Sequence, residues 1–462
     1  MSRKLHILGR AGLLLGLSCN AILAEDRYVI YTKGDVSQIA QRHGLKVVKS
    51  LSGSGNGHYV LSGSGKSSQE TLRELAADSQ ISSAETDGAV LLPGQRSGAA
   101  VHPSGAPQGQ GLPLDGTQAW YYTSLAAKGY LNQPAASVIG VAQSHTVAAG
   151  NAKVAVIDTG IDRTNLVLAP SIGDGYDFVH GSPLGQERFD VNQETTPILD
   201  QETTPILDQE TTPILDGGSA IILSQETTPI LDQETTPILD SKKYPAYGHG
   251  TMVSGLIHLV APKATLLSAR AFAADGTSTV SQIVEAIYWA VDHGANVINM
   301  SFSTAQNSAA LQKAIDEANS RGVICVAAAG NDGQAILVWP AAYSNVIGVG
   351  STNDSDVRSL FSNYGSEVSL AAPGEALITT YPSTNAGLTQ HYAEVWGTSF
   401  SSPLVAGTAA LLVDIDSHMN GAQARNVFGQ SSTPIGNQGL GAGELDAYQA
   451  VLNASRKNGK DN

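Results

Sequence analysis

The chain has 462 residues, 42% of them apolar and 49 of them glycine, enough for more than one unit and for a large core with tight turns. Its formal net charge of −15 speaks against a nucleic-acid partner. Five copies of the octapeptide Gln-Glu-Thr-Thr-Pro-Ile-Leu-Asp carry ten of those charges, so the acidity reports an insertion rather than a substrate.

In chain order, Arg3 and Lys4 precede an apolar run at 11–17, and Ala24 is followed by Glu25 and Asp26. This is the form of a secretory signal over 1–24, too short for a membrane anchor. Lipoprotein processing at Cys19 is the minor alternative, with Gly16 a poor match for the leucine that such boxes favour. Removing the signal leaves Cys325 as the only cysteine, so no intramolecular disulfide can form. Within the apolar run 323–326 it reads as a buried residue rather than a reactive thiol. No second apolar stretch of membrane-spanning length follows, and the expectation is a secreted protein without a transmembrane anchor.

Residues 25–93 read as a small α/β unit. Strands are expected at 27–32, 45–51, 58–62 and 81–90, with a Gly-rich turn at 53–57. Asp35 with Gln38 opens one short helix, and Ser67 with Glu70 forms a capping box for a second that carries Leu72 and Leu75. The order is β-α-β-β-α-β. Residues 94–118, rich in Gly, Pro and Ser, read as an exposed linker and a natural place for processing.

From 119 to 455, strands are expected at 153–158, 264–271, 295–300, 323–328 and 346–350. Helices are expected near 136–148, 249–259, 280–293, 307–320 and 399–412. This alternation predicts an α/β fold with a doubly wound parallel sheet. An array at 193–240 interrupts it, with five perfect octads and 217–224 as a divergent sixth. Proline every eight residues forbids a helix through the array, while Thr-Thr and Ile-Leu favour extended chain. A flexible surface loop is expected, ahead of a short stacked structure or a cation-binding array. The acids lack the dense spacing of a calcium loop.

Three segments carry chemistry. Val154 to Asp158 is an apolar run ending in a carboxylate, at the strand end where open α/β sheets place their sites. His249 opens a helix of small residues. Gly397-Thr398-Ser399 runs into a buried helix, which sets a hydroxyl beside unpaired N–H groups and the positive end of the helix dipole. A serine hydroxyl is a poor nucleophile until an imidazole removes its proton, and the imidazole needs a carboxylate to orient it. A fourth segment, 326–331, ends in the amide of Asn331. Singly, such residues are turn formers, core histidines and helix caps. The ordered set is not explained that way.

These segments resemble the signature motifs of the subtilases, the subtilisin-like serine peptidases, and the likeness covers nearly the whole chain apart from linker and repeats. The resemblance implies a secreted, self-processing serine endopeptidase acting on peptides and proteins, and a monomer. It makes His249 the general base, Asp158 its orienting partner, Ser399 the nucleophile and Asn331 the side-chain oxyanion donor beside the Ser399 N–H. It makes residues 25–93 a propeptide that acts as chaperone and inhibitor. Gly276, Thr277 and Ser278 would form one edge of a cleft for extended peptide, with Ser301, Phe302 and Ser303 opposite. Ser303 and Val338 stand where the family commonly has glycine, which implies a shallower pocket for the residue before the cut.

The chain departs from the family at a structural calcium site. The segment 255–262 leaves no room for the usual loop, and Val167 stands where a ligand Asp is usual. No metal or cofactor is therefore expected there, with calcium elsewhere left open. His258 reads as a partly buried helix residue rather than a ligand. The rival reading is a catalytically idle subtilase scaffold presenting the repeats as a binding or adhesion loop, although no triad residue is lost. A lipase-type hydrolase would need Gly-x-Ser-x-Gly and the order Ser, Asp, His, and neither is present.

Overall fold

The structure, a computed structural model, describes residues 26–51, 57–63, 65–92, 117–187, 221–222, 246–382, 392–457 and 459. The expected signal, nearly all of the linker and the five perfect octads lie outside these residues. Of the divergent octad, Ile221–Ile222 forms a short strand parallel to Tyr392–Val395.

The centre of the fold is an eight-stranded sheet. Its spatial order is Ser182–Pro183, Ile172–Asp177, Thr265–Arg270, Lys153–Asp158, Val297–Met300, Ile324–Ala328, Ile347–Thr352 and Leu370–Pro373. Every neighbouring pair is parallel except the first. Alternate residues of one strand enter opposite cores. Val154 and Val156 face the helices His249–Val260, Thr398–Ile415 and Ala447–Lys457. Ala155 and Ile157 face Val280–Asp292 and Ala309–Ser320. With both faces covered, the strands read as continuous apolar runs, as a doubly wound sheet requires. The helix Thr398–Ile415 is long and apolar enough to cross a membrane, but 94% of it is buried inside the protein, which makes it the central core helix.

Two expected elements differ. The helix expected over 136–148 is two short helices, Pro134–Val138 and Val141–Ser144. Gly140 breaks it with φ +71°, and a Cβ there would come within 3.0 Å of Tyr448 Cβ. The strand expected over 81–90 divides into Ile81–Thr86 and Ala89–Leu91. The first part stays in the N-terminal sheet; the second leaves it and pairs with Thr277–Thr279.

The N-terminal sheet is antiparallel, in the order Lys46–Ser50, His58–Ser62, Arg27–Thr32, Ile81–Thr86. Helices Val36–His43 and Ser68–Ala77 complete the expected β-α-β-β-α-β order. The Asp35 carboxylate caps the first by accepting from the N–H groups of Ser37 and Gln38. The N–H of Glu70 donates to Ser67 Oγ at 3.3 Å, one half of the predicted box.

This unit docks on the ends of two helices of the larger region. Glu85 accepts from the Ala310 N–H at 2.8 Å and from Ser308 Oγ at 3.0 Å, at the start of Ala309–Ser320. Asp87 accepts from the Ser281 N–H and Ser281 Oγ, both at 2.8 Å, at the start of Val280–Asp292. Carboxylates there meet the N–H groups and positive dipole that a helix leaves unpaired at its N-terminus. Lys49 pairs with Glu285, and His58 Nδ1 meets the Tyr288 hydroxyl at 2.8 Å.

Candidate active site

Asp158 ends the strand from which the sheet grows to both sides, toward Thr265–Arg270 and toward Val297–Met300. Such a switch point leaves a crevice at the carboxyl ends of the strands. Asp158 is fully buried. Its Oδ1 accepts from the Thr159 N–H and pairs with His249 Nδ1, each at 2.8 Å, while Oδ2 has no partner among the described residues. Burial alone would push the His249 pKa down, but the Asp158 charge and hydrogen bond outweigh it and the net shift is upward. The bond at Nδ1 leaves Nε2 as the ring nitrogen able to face the cleft.

Ser399 lies in the first turn of its helix and is 3% exposed. Its Oγ donates to the Ser301 carbonyl at 3.1 Å rather than to His249, and Ser301 Oγ donates back to the Ser399 carbonyl at 2.7 Å. The neighbouring Phe400 ring lies 5.3 Å from the His249 ring, so helix and imidazole are in contact. Asn331 is oriented by Thr398. Its Oδ1 accepts from the Thr398 N–H and Thr398 Oγ1, both at 2.9 Å. The backbone donor fixes which end of the amide is oxygen, so the NH2 group points away from Thr398.

The edge expected at Gly276, Thr277 and Ser278 carries a strand of this same chain. Leu91, Val90 and Ala89 pair antiparallel with Thr277, Ser278 and Thr279, and the Leu92 N–H donates to the Gly276 carbonyl at 3.0 Å. Val90 and Leu92 are buried in a cluster with Phe272, Val280 and Phe302. Phe302 is fully buried, its ring 5.2 Å from Phe272. Ser303 and Val338 are buried as well. His258 is fully buried, more than expected, and burial with the nearby His145 lowers its pKa to about 4. Cys325 is buried and its thiol pKa is pushed up to about 12 by desolvation. Among the described residues no three His, Cys, Asp or Glu side chains converge to hold a metal ion.

Four polar residues that hold this constellation together are not evident from the motifs alone: Thr159, Glu187, Thr251 and Thr398. The threonines had a signal, since one stands within two positions of each of Asp158, His249 and Ser399. Glu187 had none.

The Subtilase family model matches residues 149–450. Subtilisin BL of Lederbergia lenta is 37% identical over 214 residues, 44% of this chain and 77% of its own. The thermophilic serine proteinase of Bacillus sp. (strain AK1) is 30% identical over 335 residues, 72% of this chain and 70% of its own. Among solved structures, fervidolysin from Fervidobacterium pennivorans, a keratinolytic enzyme related to subtilisin, matches with a TM-score of 0.65 at 20% identity. That match covers 93% of this chain and 61% of the other, and is a likeness of fold.

Proposed function

The chain belongs to the subtilase family of serine endopeptidases, and we propose that it cuts peptide bonds with Asp158, His249 and Ser399, from a precursor that its own N-terminal unit holds inactive. The observation that carries this is the 2.8 Å bond between His249 Nδ1 and buried Asp158, made beside the helix turn that holds Ser399.

In the reaction, Ser399 Oγ leaves the Ser301 carbonyl and turns to His249 Nε2, which takes its proton as the oxygen attacks the scissile carbonyl. Asp158 holds the imidazole at Nδ1 and stabilises its charged form. The carbonyl oxygen, now negative, is met by the Asn331 NH2 group and the Ser399 N–H, a helix N-terminal donor with no partner within its own helix. His249 then gives its proton to the leaving amine, and water repeats the sequence on the acyl-enzyme. Substrate would enter as a strand added to Thr277–Thr279, where Ala89–Leu91 now sits. That occupancy supports residues 25–93 as an inhibitory propeptide, with cleavage in the 94–118 linker and residues 1–24 as the secretion signal.

Labelling with a fluorophosphonate tests the reading. The processed chain should be labelled at Ser399, and His249→Ala should lose the label. An unlabelled wild-type chain would contradict it.

A further inference from the structure

Glu187 lies six residues before the start of the octapeptide array and is 1% exposed. Every polar group that meets its carboxylate is a donor. Oε1 accepts from Thr159 Oγ1 and from the Gly248 N–H at 2.7 Å; Oε2 accepts from Thr251 Oγ1 and from the Thr251 N–H at 3.1 Å. The two threonines also stitch the neighbouring segments to each other. Thr159, which follows Asp158, accepts from the Gly250 N–H at 2.9 Å. Thr251, in the helix of His249, accepts from the Asp162 N–H at 2.8 Å. Each hydroxyl thus accepts a hydrogen bond from the opposite segment and donates its own to Glu187.

The backbone around this brace is close-packed. Gly160, at φ +107°, faces the Glu187 N–H and the Gly185 carbonyl so closely that a Cβ would lie 2.8 Å from either. The Ile161 N–H donates to the same Gly185 carbonyl at 3.2 Å. The carboxylate therefore has little room to move relative to the strand end that carries Asp158.

We propose that Glu187 is a positioning residue of the active site: as an anion it locks the segment after Asp158 to the first turn of the His249 helix, and its charge supports the protonated imidazole. The proposal rests on the triad reading given above. Charged and titratable groups that face Glu187 are Asp158, His249 and the Tyr381 phenol. Burial raises the Glu187 pKa to about 7 against the pull of the two threonine hydroxyls, with Asp158 adding to the rise. The anionic brace is therefore about half formed near pH 7, strengthens above it and weakens as acid protonates the carboxylate. The Glu187 charge is also among the influences that raise the His249 pKa.

Glutamine cannot replace this acceptor. Whichever way its amide turns, the NH2 end faces a backbone N–H, from Gly248 or from Thr251. In the full chain, allowed to mature, Glu187→Gln should lower kcat roughly tenfold or more while KM changes less than about twofold. The acid limb of kcat/KM should also move to lower pH by roughly half a pH unit, because His249 loses a supporting charge. Glu187→Asp keeps the charge and shortens the reach, so it should lower kcat while leaving the acid limb close to that of wild type. If the glutamine variant does not fold, Glu187→Asp carries the test alone through that separation of kcat from the acid limb. Fluorophosphonate labelling of the wild type separates the two readings. A labelled enzyme whose variants keep wild-type kcat and acid limb overturns the role of Glu187 alone, and an unlabelled enzyme overturns the triad reading with it.

Discussion

The two folded regions of the chain are covered on different terms. The large region closes both faces of its sheet with its own helices, so its cores are complete within residues 117–457 for most of their extent. Among the described residues, the N-terminal unit owns a core of eight buried residues on one side of its sheet, among them Tyr28, Ile30 and Leu75. Val29 and Val60, on the other side, belong to the core of the large region. A small unit that completes part of its core on a neighbour should draw part of its stability from that contact. The same docking pairs Ala89–Leu91 with Thr277–Thr279. On the proposed function, folding of the small unit and occupation of the Thr277–Thr279 edge would be one event.

The largest expected effect sets equal cavities in the two regions. Leu75 and Leu404 are both fully buried. Either leucine-to-alanine change costs about 3 kcal/mol. Leu75→Ala should release the N-terminal unit, seen as loss of hydrogen-exchange protection over 27–86 with the large sheet still protected. Leu404→Ala should lower the melting temperature of the large region and leave it folded. Equal retention of protection in both variants would break the comparison.

A smaller effect isolates the docking contact. Removing the caps with Glu85→Ala and Asp87→Ala together should weaken the hold of segment 25–93 on processed enzyme roughly 30-fold, at about 1 kcal/mol per cap. An unchanged inhibition constant would show that the shared core alone sets the hold.

Acid gives a gentler test of the same contact. Burial first, and Lys313 second, lower the His58 pKa from 6.5 to about 4. A value lower when docked than when free means that the contribution is complete above about pH 6.5 and lost as pH falls toward 4. Docking should weaken by roughly tenfold near pH 5.5, and His58→Gln should flatten that dependence. A wild-type hold that is constant across this range would contradict the assignment.

The smallest expected change leaves the N-terminal unit untouched. Val338→Gly should deepen the pocket and raise kcat/KM severalfold, up to about tenfold, for peptides with Phe or Tyr before the cut, relative to Ala. A peptide panel in which the wild type already cuts best after Phe or Tyr would count against the shallow pocket.

Much of the large region is legible in the sequence because its strands are buried on both faces. Runs such as 154–157 and 323–328 are apolar throughout, and each motif lies at an element boundary. Ile172–Asp177 is a strand with two glycines and two aspartates, held by pairing with Thr265–Arg270 rather than by its own pattern. The break at Gly140 had a local signal in the glycine itself, which takes φ +71°, while the contact that keeps a side chain out of this position comes from Tyr448, far along the chain. The departure of Ala89–Leu91 from its sheet goes with long-range contacts, the Asp87 cap on a helix that begins at Val280 and the pairing with Thr277–Thr279. Glu187 is hidden for the same reason, since its four donors come from segments 28 and about 60 residues away.

The most direct measurement is the intact mass of the expressed wild-type protein beside its Ser399→Ala variant. Self-processing by the Asp158–His249–Ser399 site predicts a wild type that has lost the N-terminal unit and linker, and a variant that keeps both. Two chains of equal, unprocessed mass, neither labelled by a fluorophosphonate, would contradict it.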